Sequence, residues 1–227
     1  AVYVRAGNGK KDTGGEIVLS AGSTTDSGTT GGRLQLWSGK SATSSTTAGD
    51  GSSGSIAIQT PNSHSAVGLS GSIIMSSGTS SAGNTGAFYI GSGVATGGRA
   101  GSVYISSGDG KTGTGGEVVL SAGSTSTATG TTGGRVQIIS GLSTTKTSGA
   151  VTIQTGASTG TATDSSASGM MVLSTGDSAN GNSGGLFISS GSSTADNKGR
   201  SGAVYVRAGN GKKDTGGEIV LSAGSTT

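Results

Sequence analysis

One eight-residue phrase recurs from end to end of this chain, and that recurrence restricts its possible folds more than any other feature. The phrase first appears whole as Gly15-Glu16-Ile17-Val18-Leu19-Ser20-Ala21-Gly22. It has Gly at position 1, apolar residues at positions 3 and 5, Ala or a small hydroxyl residue at position 7, and in nearly every copy Gly at position 8. Position 1 falls at Gly15, Gly32, Gly54, Gly71, Gly86, Gly101, Gly116, Gly134, Gly149, Gly169, Gly184, Gly202 and Gly217, and one more copy begins at Ala1 without its Gly. Openings are 15 to 22 residues apart, so 15 is the base length and longer copies carry insertions after the phrase. The pair at positions 3 and 5 is apolar in all fourteen copies. A two-residue apolar period in β-branched and aliphatic residues, punctuated by Gly, predicts a strand.

Longer periods lie above the phrase. The stretch from Val103 to Gly141 echoes that from Val2 to Gly39 at an offset of 101 residues, or six phrases. Residues 1–25 are identical to residues 203–227. The expected organisation is a single repeat array: residues 1–100 and 101–201 are two six-phrase units, and 202–227 begin a third. Such a chain reads as a window on a longer periodic protein.

The predicted fold class is all-β: a repetitive parallel β-solenoid of about 14 coils, one phrase per coil, each coil's core completed by its neighbours. An antiparallel β-meander with the phrases as strands is the alternative. The solenoid implies an inward core ladder that includes Ile17, Leu19, Leu34, Leu36, Ile56, Ile58, Val118, Leu120, Val136 and Ile138. Strand alternation turns position 4 the other way. That row includes Tyr3, Val18, Ile74, Tyr89, Tyr104, Val119, Phe187 and Tyr205, an apolar stripe suited to lateral packing. At position 2, Glu16 precedes Arg33 and Glu117 precedes Arg135, which on neighbouring strands would act as register ion pairs.

Composition alone points elsewhere. Gly supplies 48 of 227 residues, aromatics are 3% and hydrophobics 30%, a balance usually found in disordered chains. A disordered chain has no reason to keep an apolar pair in register fourteen times, so the phrase overrules the composition. The chain has no Cys, which removes disulfides and thiolate metal sites. No apolar run approaches the ~20 residues of a spanning helix, so no membrane span is expected. The net charge of +3 is a small excess over few charges, and no basic stripe is interleaved with aromatics. Nucleic acid is therefore not an expected partner.

No catalytic, cofactor or metal site assembles from the sequence, and the chain is not expected to be an enzyme. Gly108-Asp109-Gly110-Lys111-Thr112 looks like a phosphate loop, but the Gly needed five positions before the Gly-Lys pair is Ile105. It reads as a turn. The Gly/Asn/Asp-rich loops lack the order of calcium-binding nonapeptides. His64 is the only His and has no partners for a triad or a zinc site. Asp26, Asp50, Asp164, Asp177 and Asp196 lie in different loops, without a paired-carboxylate arrangement. An ice-binding face would need Thr rows, which the outward positions do not supply.

The repeated Gly-Gly-x-apolar-x-apolar-x-x-Gly units resemble the Gly/Ser/Thr-rich repetitive β-solenoid proteins of extracellular fibres and adhesins. The resemblance covers the whole chain and is architectural. It implies a structural subunit of an extracellular or cell-surface filament, assembling with copies of itself by axial coil stacking and lateral packing. The alternative it implies is an adhesin stalk or a glycan- or ice-binding module, with glycans as partners.

Overall fold

The computed structural model describes residues 1–10, 13–41, 52–64, 67–126, 132–159, 167–194, 199–212 and 215–224. Two units are distinguished, Ala1–Ser106 and Ser107–Thr227. Among the described residues there is no strand and no helix. The parallel β-solenoid is therefore not formed, and neither is the antiparallel meander. Bends and turns fall only between phrases. In the 15-residue repeats they sit midway between closing and opening Gly, at 81–83, 96–98 and 111–113 and again at 179–181. The bend at 144–146 has the same offset from its opening Gly134.

The reason the solenoid fails is visible at the junctions between phrases. Stacked coils require the start of each phrase to lie over the start of the one before. Here the connecting loop returns the chain to the far end of the preceding phrase. A β-carbon placed on any opening Gly from Gly15 to Gly217 would have the preceding phrase's position-7 side chain within 2.9–4.0 Å. At Gly116 that atom is Ser107 Cβ, at 2.9 Å, and at Gly15 it is Ala6 Cβ, at 3.0 Å. Both distances are too short for a real β-carbon without movement, so Gly is required for this approach. Like residues do not stack on like.

The meander fails for another reason. A meander needs a ladder of backbone hydrogen bonds, and here the ladder stops at its first rung. The Gly15 amide donates to the Gly7 carbonyl at 2.8 Å, and no further backbone bond joins the two phrases. Gly at each phrase end disfavours strand continuation. A single layer would also leave one apolar face in water, and the chain builds no second layer to cover it.

The rungs follow a block pattern. In Ala1–Ser106 the junctions at Gly15, Gly32 and Gly54 are bonded to Gly7, Gly22 and Gly39, while those at Gly71, Gly86 and Gly101 are not. In Ser107–Thr227 those at Gly116, Gly134 and Gly149 are bonded, those at Gly169, Gly184 and Gly202 are not, and Gly217 is bonded again. The residues explain part of this. Every opening that is itself preceded by Gly is bonded, and every Ala at position 7 that faces a following phrase lies at a bonded junction. The three Thr at position 7, Thr60, Thr155 and Thr175, all face unbonded ones, where the extra methyl is among the first atoms the returning chain meets. Thr60 instead donates its hydroxyl to the Gly71 carbonyl at 3.1 Å. Ser107 does the same to Gly116 at 2.8 Å, alongside the backbone rung.

This geometry makes a direct prediction. A double variant Ser92→Cys with Gly101→Cys should oxidise readily to an intrachain disulfide, because the two β-carbons would lie 3.5 Å apart, close to the ~3.8 Å of a relaxed bridge. The pair Gly86→Cys with Gly101→Cys joins two phrase starts and should stay reduced under the same oxidant. The absence of native Cys makes mass spectrometry of the product unambiguous. Preferential oxidation of the second pair would restore stacked coils and sink the junction geometry.

Candidate interaction surface

No side chain is buried among the described residues, apolar or polar. The expected core ladder is therefore solvent-accessible. Its position-3 members, Ile17, Leu34, Ile56, Val118 and Val136, are 49–55% exposed. Its position-5 members, Leu19, Leu36, Ile58, Leu120 and Ile138, are 62–69% exposed. The position-4 stripe is the barest: Tyr3, Val18, Ile74, Tyr89, Tyr104, Val119, Phe187 and Tyr205 range from 69% to 92%. The same gradation recurs through the interior phrases. It gives each phrase one side that is half covered and one that stands in water.

The best-covered places are elsewhere. Eight described residues are half-buried; six of them, Ala6, Ser38, Thr60, Ala122, Ser140 and Ala208, occupy position 7, and Ser41 and Ser143 lie in loops. The opening Gly of the next phrase sits against each of the position-7 six. Sequence reasoning gave weight to the apolar pair and missed this contact. The signal was present, since position 7 is never larger than Thr and position 1 is Gly throughout.

Among the described residues Glu16, Arg33, Glu117 and Arg135 form no ion pair. The charges at position 2 have no opposing strand to meet, because the phrases do not stack.

The chemical candidates stay apart. No cavity opens among the described residues, and no group of His, Asp and Glu there could hold a metal ion. His64 is an exposed loop residue. Asp26 belongs to a local turn: its amide donates to the Thr24 hydroxyl at 3.3 Å, and its carbonyl accepts from the Thr29 hydroxyl at 2.8 Å. Asp50, Asp164 and Asp196 lie outside the described residues. The phosphate-loop lookalike is a turn, bent at 111–113, with Gly113 at φ 91°. A β-carbon on Gly110 would collide with the Thr114 carbonyl at 2.7 Å, so the loop folds onto its own backbone. Elsewhere, Ser80 and Ser143 hydroxyls accept from the Gly83 and Lys146 amides at 2.9 Å, fixing two bends locally.

Among the described residues no helix is long and apolar enough to cross a membrane. What remains as a candidate site is the periodic surface itself, an exposed apolar row carried on Gly-closed loops. No family model, curated protein or solved structure matches the chain.

Proposed function

We propose that this chain is a repetitive structural segment of an extracellular or cell-surface fibre, and that its apolar phrases are covered by the phrases of other copies. One observation carries the reading. Fourteen phrases present an apolar pair each, yet none of these side chains is buried within the chain. Contiguous exposed apolar surface is normally found where a partner packs. The partner best fitted to a periodic surface is the same periodic surface, because any fit made by one phrase is repeated along the chain and the contacts add as linked, multivalent events. The identity of residues 1–25 and 203–227 keeps that fit in phase over the longest period. The hydroxyl-rich loops between phrases keep the remaining surface wet.

The test is concentration-dependent sedimentation of the purified chain with electron imaging of the fractions. Elongated assemblies that grow with concentration and dissociate on dilution are expected. A monodisperse monomer across the whole soluble range would remove the proposal.

A further inference from the structure

Two stretches of the chain carry two aromatic rings with an arginine at the same place between them. Tyr89 lies three residues before Ser92, and Tyr104 lies three residues after Gly101. A β-carbon on Gly101 would lie 3.5 Å from Ser92 Cβ, so the two ring-bearing phrases depart from one point of contact. Chain geometry then keeps the two ring-bearing α-carbons within about 28 Å of each other. Arg99 sits two residues before Gly101, in the loop that closes the contact. In the other unit, Phe187 lies three residues before Ser190, Tyr205 three after Gly202, and Arg200 two before Gly202. The Gly202 to Ser190 approach is 3.3 Å.

These are the places where aromatic residues occupy position 4 of consecutive phrases. Tyr89, Tyr104, Phe187 and Tyr205 are 89–92% exposed, at the top of the position-4 row. Both stretches also fall at unbonded junctions. Among the described residues neither Arg99 nor Arg200 has an ion pair or hydrogen bond.

The geometry points to a repeated binding site for an anionic polysaccharide, with the two rings stacking on sugar faces and the arginine holding a carboxylate or sulfate. Exposed ring faces offer flat, apolar contact at low entropic cost, and a guanidinium matches planar anions with two parallel hydrogen bonds. A second copy pairing at the first stretch does not supply the anion, because from Gly86 to Gly108 Arg99 is the only charged residue and like stretch against like sets arginine against arginine; the second stretch, Gly184 to Gly209, also carries Asp196, Lys198 and Arg207. A nucleic acid fits less well, since it needs a continuous basic track, and between their rings the stretches offer only Arg99 in the first and Lys198 and Arg200, with Asp196, in the second. The site needs only the unassembled chain, so it stands or falls separately from fibre formation.

The experiment is isothermal titration of the full chain, at a dilution where it sediments as a monomer, with polygalacturonate, dextran sulfate, uncharged dextran and oligothymidylate. Binding to one or both acidic glycans and none to dextran is expected, with the responding polymer distinguishing carboxylate from sulfate. Arg99→Gln with Arg200→Gln should weaken it about tenfold. Tyr89→Ala with Phe187→Ala should weaken it to a similar degree without changing charge. Lys10→Gln with Lys146→Gln removes the same charge elsewhere and should leave affinity within about twofold. Equal loss in the lysine control, or no loss in the ring variants, would reduce the effect to net charge and overturn the site. Tighter binding of oligothymidylate than of either acidic glycan would overturn it in favour of nucleic acid, and heat on mixing with uncharged dextran equal to that with the acidic glycans would remove the anion from the account.

Discussion

Dilute solutions of the isolated chain will show no cooperative melting transition. Ordering a residue costs about 1–2 kcal/mol of backbone entropy. The main compensation is apolar surface removed from water, at about 25 cal/mol per Å². Here even the best-covered side chains of the apolar pairs remain nearly half exposed, and no described residue is buried. Nothing in a single chain supplies an all-or-none transition. Differential scanning calorimetry should give a featureless trace at low concentration. A heat-absorption peak should appear, and move upward in temperature, as the concentration rises. A sharp, concentration-independent transition would mean that one chain buries a core by itself.

Charge placed in the apolar pair will have the next largest effect. In Val118→Asp with Val136→Asp, two position-3 side chains that assembly should cover become carboxylates. Burying an unpaired charge is costly enough that the group neutralises or the interface does not form. The concentration at which sedimenting species appear should rise at least tenfold, a shift of about 1.4 kcal/mol or more. Ser80→Ala with Ser143→Ala removes two hydroxyls that cap bends and should leave that threshold within about twofold. Unchanged assembly of the aspartate variant would exclude position 3 from the contact.

Much of this surface could be read in the residues, and its connections could not. Ile17 and Leu19 are less exposed than Val18 between them, because side-chain direction follows from local backbone geometry, but the pair stays about half exposed and forms no buried ladder. The turn at Gly108–Thr112 was equally legible, since Gly at 108, 110 and 113 leaves the loop free to fold on itself. The partner of each phrase was not legible. Parallel stacking and end-to-start closure place the same residue types at the same intervals, and the sequence distinguishes them only through size at one site. The small side chains of Ala6, Ser92 and Ser107 under the returning Gly carry that distinction. Glu16 and Arg33 make a register pair only where neighbouring phrases lie side by side. Once the loop returns to position 7, the two charges have no common strand edge to share.

The single backbone hydrogen bond that closes each bonded loop also sets how the chain answers a pull. Gly7 and Gly15 are joined by one exposed amide–carbonyl contact of 2.8 Å. Such a contact is worth about 1 kcal/mol net. The eight-residue path it short-circuits reaches roughly 28 Å when drawn straight. Tension therefore meets slack first and covalent backbone last. Segments whose loops are unlatched give way at the lowest load, and the latched ones follow. Because latched and unlatched loops come in runs of three, a tether made of this chain would be graded along its length, alternately yielding and taut.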